Sequence, residues 1–244
     1  MEPNAFSLVA IFVVAILYSS VGHGGASGYL AILALLSVPK QTASSTALVL
    51  NIMVASTAAF SYYRSKFLNL PTTAPYLIAS VPAAFLGGTI KIPNNIYEGL
   101  LSVSLLAAAV RLAIPLKESA EAELHQPRLW LAVVCGGAIG LLSGIVGIGG
   151  GIFLSPLIVL ARWDTAKHAS GTAALFIVIN SIAGIVGRLC THSFTIGSDW
   201  SFLVAAFAGG LIGSHLGANI FSQNALKRML ALVLGIASFK LLIA

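Results

Sequence analysis

The stretch VGHGGASGYL (Val21–Leu30) lies inside an apolar run that extends from Phe6 to Val38. Four glycines, one histidine and one serine interrupt the run at its middle. Glycine is among the poorest helix formers, because it loses the most backbone freedom when a helix forms. We therefore expect two short helices joined by a glycine turn, and the purpose of that break is the central question about this chain.

The composition predicts a membrane protein. Hydrophobic residues make up 58% of the 244 residues and charged residues only 8%, whereas a soluble domain carries about 25% charged residues. Apolar runs near the roughly 20 residues that cross a bilayer as a helix predict an all-α polytopic fold. The net charge of +6 does not indicate nucleic acid binding. The basic residues lie at the ends of the runs, where they would face lipid headgroups, so the lipid bilayer is the expected partner.

The apolar runs form two groups of five. They cover about 6–21, 26–38, 42–63, 71–90 and 96–115, and then 129–145, 151–161, 166–187, 199–217 and 224–243. The sequence thus predicts a first repeat at 1–115, a polar cytoplasmic linker at 116–128 and a second repeat at 129–244. Each repeat opens with a broken helix hairpin.

Matching motifs support an internal duplication. VGHGG at Val21–Gly25 matches VGIGG at Val146–Gly150, a shift of 125 residues. ASSTA at Ala43–Ala47 matches ASGTA at Ala169–Ala173, a shift of 126 residues. Matches in the same order at a nearly constant shift are typical of a duplicated gene.

The distribution of basic residues favours inverted repeats. If each broken run enters and returns, one side of the membrane collects nine basic residues and the other keeps four. The nine are Arg64, Lys66, Arg111, Lys117, Arg128, Arg162, Lys167, Lys227 and Arg228; the four are Lys40, Lys91, Arg188 and Lys240. By the positive-inside rule the larger group is cytoplasmic. We therefore expect a multi-pass inner-membrane protein with both termini outside the cytoplasm and repeats of opposite orientation.

Broken helices in two repeats are a strong sequence indication of a transporter's binding site. The first amides of a helix lack partners within it, and the helix dipole places partial positive charge there. Two such helix starts could hold an anion. The candidate binding residues at the two breaks are Gly22, His23, Gly24, Gly25 and Ser27, and Gly147, Gly149, Gly150 and Gly151. The alternative is that the glycines only allow helices to pack closely.

These motifs resemble those of the TauE/SafE family of sulfite exporters, also called the TSUP family. The resemblance covers essentially the whole chain and rests on VGHGGASGYL, on GIVGIGGGIFLSPLIVL and on the ASxTA segment that follows each break. The first motif departs from the family pattern at His23 and Ser27. The resemblance implies transport of a sulfur-containing or organic anion, such as sulfite or a sulfonate like sulfoacetate.

Other polar residues within the apolar runs are further candidates, since such residues are costly in a membrane. Ser45, Thr46 and Thr172 could bind substrate or cap helices, and Asn51 and Asn180 could bind substrate or join helices. His23 and His215 are candidates for proton coupling, because histidine titrates near about pH 6.5. Arg64 and Arg188 are expected to extend to opposite membrane interfaces.

The sequence therefore favours a secondary transporter for a small anion that works by alternating access. The alternative is an anion channel with a glycine-lined constriction. An enzyme is disfavoured, because the chain has no HExxH, GxSxG or Walker A motif. No cofactor or metal site is predicted, and a homodimer is neither supported nor excluded.

Overall fold

The computed structural model describes residues 5–93, 96, 99–100, 102–103, 106, 124–197 and 200–220. Every regular element within these residues is a helix. The first half contains α1 (Ala5–Ser20), α2 (Ala26–Leu35), α3 (Lys40–Arg64) and α4 (Leu70–Thr89). The second half contains α5 (Leu129–Val146), α6 (Gly151–Leu160), α7 (Ala166–Cys190) and α8 (Ser201–Asn219). The predicted all-α membrane fold is confirmed; the fifth segments, at 96–115 and 224–243, fall mainly or wholly outside the described residues.

Four of the described helices, α3, α5, α7 and α8, are long and apolar enough to cross a membrane. The helices α2 and α6 have 10 residues each. At about 1.5 Å per residue they reach about half of the roughly 30 Å hydrocarbon thickness. Both broken runs therefore consist of a longer helix, a glycine turn and a short helix.

Four helices end in the same way and at matching positions of the two halves. The helices α2 and α6, and likewise α3 and α7, are followed by a residue in the left-handed conformation. These residues, with their φ angles, are Ser37 (56°), Arg162 (56°), Lys66 (62°) and His192 (51°). In each, a backbone amide beyond the helix end bonds to a carbonyl five residues earlier, as Val38 N does to Leu33 O at 3.0 Å. This is the Schellman motif, which usually places glycine at the left-handed position.

The two longest helices, α3 and α7, pack against each other at the centre in opposite directions. Ala58 and Tyr62, near the end of α3, share a buried cluster with Ala174, near the start of α7. Gly184, further along α7, faces Leu48, which lies earlier in α3. More than half of the apolar window in each of these two helices is buried.

Around this centre, helices of the two halves pack in parallel through glycines. The carbonyls of Phe12 and Ile16 in α1 lie against Gly209 and Gly213 of α8. Tyr76, Ser80 and Ala84 of α4 lie in the same way against Gly136, Gly140 and Gly144 of α5. A Cβ at any of these glycines would overlap the facing backbone, so their role is to let the helices approach closely.

Two further parallel contacts complete the arrangement. Ser61 of α3 donates a hydrogen bond to Ser214 of α8 at 3.1 Å, and Thr57, four residues earlier in α3, lies against Gly210. The hydroxyls of Thr73 in α4 and Thr172 in α7 lie 3.2 Å apart, and Phe85 O, later in α4, lies against Gly187. Because α4 and α8 are counterparts in the two halves, each half contributes the same kind of contact to the other.

Candidate functional site

The two glycine turns share a backbone conformation that favours glycine. We call Val21–Gly25 the first turn and Val146–Gly150 the second turn. Gly22 and Gly147, at matching positions, have φ angles of 75° and 86°, and Gly25 and Gly150 have 94° and 79°. Gly25 and Gly150 are the N-cap residues of α2 and α6, and neither provides a side-chain cap. The first amide of α2, that of Ala26, is instead bound by a side chain of α3.

Asn51 of α3 joins the two turns. Its side chain is fully buried. Its Oδ1 accepts a hydrogen bond from the amide of Ala26 at 3.0 Å, and its Nδ2 donates to the carbonyl of Ile148 at 3.1 Å. The two glycine turns, 125 residues apart in sequence, therefore meet at one amide side chain.

The glycines of these turns leave no room for a side chain. A Cβ at Gly24 or at Gly149 would overlap the Asn51 amide group. A Cβ at Gly150 would meet the Phe176 ring, and one at Gly151 would meet Ile177. Glycine is thus required at these positions because neighbouring polar and apolar side chains lie too close to the backbone for a Cβ.

Each turn also contacts the long helix of the other half. The hydroxyl of Ser44 in α3 donates to the carbonyl of Val146 at 2.9 Å. Ser170, the counterpart of Ser44 in α7, lies against Gly22. Its hydroxyl bonds within its own helix, to Ala166 O at 2.9 Å.

His23 makes a polar contact across the two halves. One ring nitrogen, Nε2, lies 2.7 Å from the hydroxyl of Ser155 in α6. In α2, directly after this turn, Ser27 bonds to the hydroxyl of Tyr18 at 2.8 Å. The centroids of the Tyr18 and His23 rings are 6.4 Å apart, so polar side chains of α1, α2, the first turn and α6 lie near one another.

Several donors at the turns have no acceptor within the described residues. The hydroxyls of Tyr29, Ser143 and Ser181 are buried and unpaired there. Tyr29 lies against Gly25, Ser181 against Gly149 and Ser143 against Gly150. A buried hydroxyl without a partner costs free energy, which a bound oxyanion would recover by accepting a hydrogen bond from it.

The surroundings of the turns favour negative charge. The N-terminal ends of α2 and α6 contribute partial positive charge. Asp164, in the loop between α6 and α7, supplies the one carboxylate side chain among the described residues. It is bound by His168 Nδ1 at 2.9 Å and by the amide of Thr165 at 2.7 Å. The arrangement can therefore hold a small oxyanion by backbone and hydroxyl hydrogen bonds.

Some predicted site residues lie away from the turns. The hydroxyl of Thr46 accepts a hydrogen bond from the Gly197 amide at 3.2 Å, and Thr172 pairs with α4. Asn180 donates to the carbonyl of Phe176 in its own helix at 3.0 Å. His215 is exposed on α8, so the structure does not bring it to His23.

Ser45 is fully buried, and its hydroxyl is unpaired within the described residues. It does not cap α3, since that helix begins at Lys40 after Pro39. Thr46 does not cap α3 either, since it lies inside that helix, and Thr172 lies inside α7, which is capped by the hydroxyl of Thr165. The capping alternative for these three residues is therefore wrong.

The prediction that Arg188 extends to the membrane interface is also wrong. Its side chain is buried, and its Nη2 donates to the carbonyls of Gly144 at 3.1 Å and Ile145 at 3.4 Å. The last carbonyls of α5 lack partners within the helix and attract the guanidinium. At the matching position of the first half, the Tyr62 hydroxyl bonds to Ser20 O at 3.0 Å. Arg64 is exposed, as predicted.

Sequence reasoning missed Tyr29, Ser143, Ser155 and Ser181 as members of this site. Their signal is weak, since serines and tyrosines inside apolar runs also bond to their own helices. The repeat offers one clue: Ser155 corresponds to Leu30, and His23 corresponds to Ile148. A polar pair at positions where the other half has an apolar pair indicates a specific contact.

The sequence of the whole chain matches known proteins. Residues 7–241 match the family model described as "Sulfite exporter TauE/SafE". The chain belongs to the TauE/SafE family. This membership confirms the resemblance that the two glycine motifs indicated, and it extends over both halves.

Two TauE/SafE relatives match over nearly their full lengths. "Probable membrane transporter protein y4hK" of Sinorhizobium fredii is 33% identical over 99% of this chain and 100% of its own. "Probable membrane transporter protein YdhB" of Bacillus subtilis is 29% identical over 96% of this chain and 98% of its own. No solved structure matches the chain. The family and the fold together identify a membrane transporter.

Proposed function

We propose that this protein is a secondary transporter that moves a small sulfur-containing or organic anion across the inner membrane by alternating access. Sulfite or a sulfonate such as sulfoacetate is the expected substrate, as the family description suggests. The observation that carries the proposal is the meeting of the two glycine turns at Asn51, with buried donors of both halves around them. The substrate would accept hydrogen bonds from amides in the first turns of α2 and α6 other than that of Ala26, which Asn51 binds, and from Tyr29, Ser143 and Ser181.

The directions of the packed helices support inverted repeats. The helix α3 runs antiparallel to its counterpart α7. The helix α1 packs parallel to α8, and α8 packs parallel to α3, so α1 runs in the same direction as α3. The helix α5 packs parallel to α4, and α4 packs parallel to α7, so α5 runs in the same direction as α7. Because α3 and α7 are antiparallel, α1 also runs opposite to its counterpart α5. A twofold axis in the membrane plane produces this relation, whereas an axis along the membrane normal would leave counterparts parallel. Inverted repeats allow one binding position to face each side in turn.

The positions of the basic residues support the proposed orientation. Lys167 lies over the Phe67 ring at 4.7 Å, and the His125 amide bonds to Arg162 O at 3.0 Å. These contacts place the loops after α3, before α5 and after α6 at one end, which we call the linker end. Its described basic residues are Arg64, Lys66, Arg128, Arg162 and Lys167, and those of the opposite end are Lys40 and Lys91. We propose that the linker end faces the cytoplasm and that both termini lie on the opposite side of the membrane.

Asp164 is the one carboxylate within the described part of the chain, and it lies in the loop after α6 rather than at the turns, which favours histidine over an acid for proton coupling. His23 is the candidate, because it lies in the first turn and contacts Ser155 of the other half. A channel made from the same turns would pass the anion without a change of conformation. Flux and current measurements distinguish a transporter from such a channel. The TauE/SafE relatives are named as transporters, so they do not support a catalytic function.

Thermal unfolding of the purified protein tests for the substrate class. Sulfite, sulfoacetate, thiosulfate, sulfate and acetate are added singly, and a ligand of the folded form raises its apparent stability. At a concentration of about 100 times the dissociation constant, the gain is about 2.7 kcal/mol. Asn51→Leu is the matched variant, for which we expect no ligand-dependent gain.

Flux in proteoliposomes then distinguishes a transporter from a channel. We expect saturable uptake of the stabilising anion and no unitary currents in planar bilayers. Unitary currents would establish the channel instead. Absence of both binding and flux for every anion would contradict the proposed function.

A further inference from the structure

A cavity of about 470 Å³ opens among α4, α5, α6 and α7 at the linker end. Its walls include Tyr76, Ala132, Ile158 and Thr172. At its mouth lie Trp163 and Asp164, together with the last residues of the linker, Gln126 and Pro127. This volume is enough for a small organic anion with several waters, given that ligand sites usually measure about 300–1,000 Å³.

One apolar layer separates the cavity from the second turn. Tyr76, Ala132 and Ile158, which line the cavity, share a buried cluster with Leu154 and Phe176. The Phe176 ring lies directly against Gly150. The side chains of a single layer therefore stand between the cavity and the proposed anion site.

The first half has the same layer on its own side of the turns. The counterparts of Leu154, Ile158, Phe176 and Tyr76, at shifts of 125 or 126 residues, are Tyr29, Leu33, Leu50 and Phe202. These four residues are buried together in one cluster. The glycine turns are thus flanked by two equivalent apolar layers, one contributed mainly by each half.

The two ends differ beyond these layers. At the end opposite to the linker, the segment 193–197 is held against the first turns of α3 by three hydrogen bonds. Gln41 Nε2 donates to Ser193 O at 2.7 Å, the Thr42 and Thr195 hydroxyls lie 3.2 Å apart, and the Gly197 amide donates to Thr46. Thr46 is the counterpart of Thr172, which lines the cavity.

We propose that the cavity is the linker-side vestibule of the transport pathway, that the layer of Leu154, Ile158 and Phe176 is its inner gate, and that segment 193–197 closes the opposite entrance. The occupant is the transported small anion, held by hydroxyl and amide groups before it reaches the turns. The Asp164 carboxylate at this cavity is hydrogen-bonded to His168 and to the Thr165 amide. This inference rests on the proposed function, because a vestibule needs a pathway to serve.

Cysteine accessibility tests the vestibule without knowledge of the substrate. Both native cysteines, Cys135 and Cys190, are first replaced by alanine. Thr172→Cys and Thr46→Cys are then introduced separately, and each protein is treated in detergent with a small anionic thiosulfonate. We expect Thr172→Cys to react at least about tenfold faster than Thr46→Cys. A tenfold ratio corresponds to a difference of about 1.4 kcal/mol in the free energy of making the thiol accessible to the reagent.

A second matched pair covers the case in which a threonine variant does not fold. Ala132→Cys lies on the cavity wall, and Ser7→Cys is its counterpart at the other end. The same order of reactivity is expected, with Ala132→Cys faster. Equal rates within the folded pairs, or faster reaction at the opposite end, would overturn the vestibule.

Phe176→Ala tests the gate. In this variant a cysteine at Ser181, beside Gly149, should react several-fold faster than it does with Phe176 present. Phe176→Leu, which copies Leu50 of the first half, is the milder variant and should give a smaller increase. An unchanged rate in a folded variant would show that Phe176 does not close the path.

The outcomes separate the two proposals. Labelling that follows the expected order while no anion binds or crosses would contradict the proposed function and leave an accessible cavity without a pathway. Saturable anion flux with equal labelling at the two ends would preserve the transporter and overturn the vestibule.

Discussion

The two glycine turns share their backbone conformation at two matching glycines, but they differ at Gly24 and Gly149, of which only Gly149 has a positive φ angle, and in their side chains. Gly22 and Gly25 of the first turn match Gly147 and Gly150 of the second, and all four have positive φ angles. The first turn carries His23 where the second has Ile148, and Asn51 of α3 corresponds to Ile177 of α7. The two halves thus provide similar helices and turns, while the polar groups that join the turns come from the first half and from Ser155.

Replacement of Asn51 should break this arrangement most severely. Asn51→Leu keeps the branched shape of the side chain but leaves the Ala26 amide and the Ile148 carbonyl without their partner. Each unpaired buried group costs about 1–3 kcal/mol, and the turns lose the contact that holds them together. We expect loss of transport and a lower unfolding temperature, measured by flux and by thermal unfolding.

Ile177→Val at the matching position is the control for Asn51. Removal of one methylene in the second half should cost about 0.5–1.5 kcal/mol and preserve flux. If Asn51→Leu transported normally, the proposed role of Asn51 at the centre of the site would be wrong.

A side chain at Gly150 should have the next largest effect. Gly150→Val combines a positive φ angle with overlap against Phe176 and Ile139. A β-branched residue is strongly disfavoured in this conformation. We expect flux in proteoliposomes to fall below detection. Membrane insertion should continue, as judged by the amount of protein recovered from the membrane.

Gly99 is a suitable control for Gly150, since a Cβ there meets nothing within 4 Å among the described residues. Gly99→Ala should therefore transport like the original protein. Full activity of Gly150→Val would mean that the second turn does not contribute to the pathway.

Exchange of the His23–Ser155 pair tests whether the difference between the turns has a chemical purpose. The double variant His23→Ile with Ser155→Leu carries at these positions the residues of their counterparts, Ile148 and Leu30. Both equivalent contacts between the halves would then be apolar. If His23 carries the coupled proton, we expect the flux of the original protein to depend on pH between 5 and 8, the range in which histidine usually titrates, and the flux of the double variant to be independent of pH there. Flux measured at several pH values checks this.

The single variants sharpen this comparison. Ser155→Leu alone leaves His23 without its contact to the other half and should shift the pH profile. His23→Gln keeps a hydrogen-bonding group beside Ser155 but removes titration. Identical pH profiles for the original protein and His23→Gln would exclude His23 as the coupling group.

Much of the fold could be predicted from the sequence because glycine and apolar runs act locally. The glycine turns fall where the VGHGG and VGIGG motifs lie, and the described helices begin and end within a few residues of the predicted runs. The 125-residue shift also indicated which positions are counterparts. These features depend on neighbouring residues, so the chain itself carries the information.

The site could be predicted only in part, because it depends on which face of a helix meets the other half. Asn51 and Asn180 look equivalent in sequence, yet Asn180 lies three positions beyond Ile177, the counterpart of Asn51. Three residues turn a helix by about 300°, so Asn180 faces a different direction. Arg188 was misjudged for a related reason, since the open carbonyls of α5 that bind it are distant in sequence.

The smallest expected effect concerns the matching helix ends rather than the turns. Ser37 and Arg162 occupy the left-handed position after α2 and α6, where glycine is usual. Ser37→Gly and Arg162→Gly should each stabilise the fold by up to about 1 kcal/mol, because a side chain is strained in this conformation. Both variants should raise the unfolding temperature slightly and leave flux unchanged. Since the two ends have the same φ angle and the same hydrogen bonds, the gains should be alike; a gain at one end and a loss at the other would show that the similarity of the two halves does not extend to their energetics.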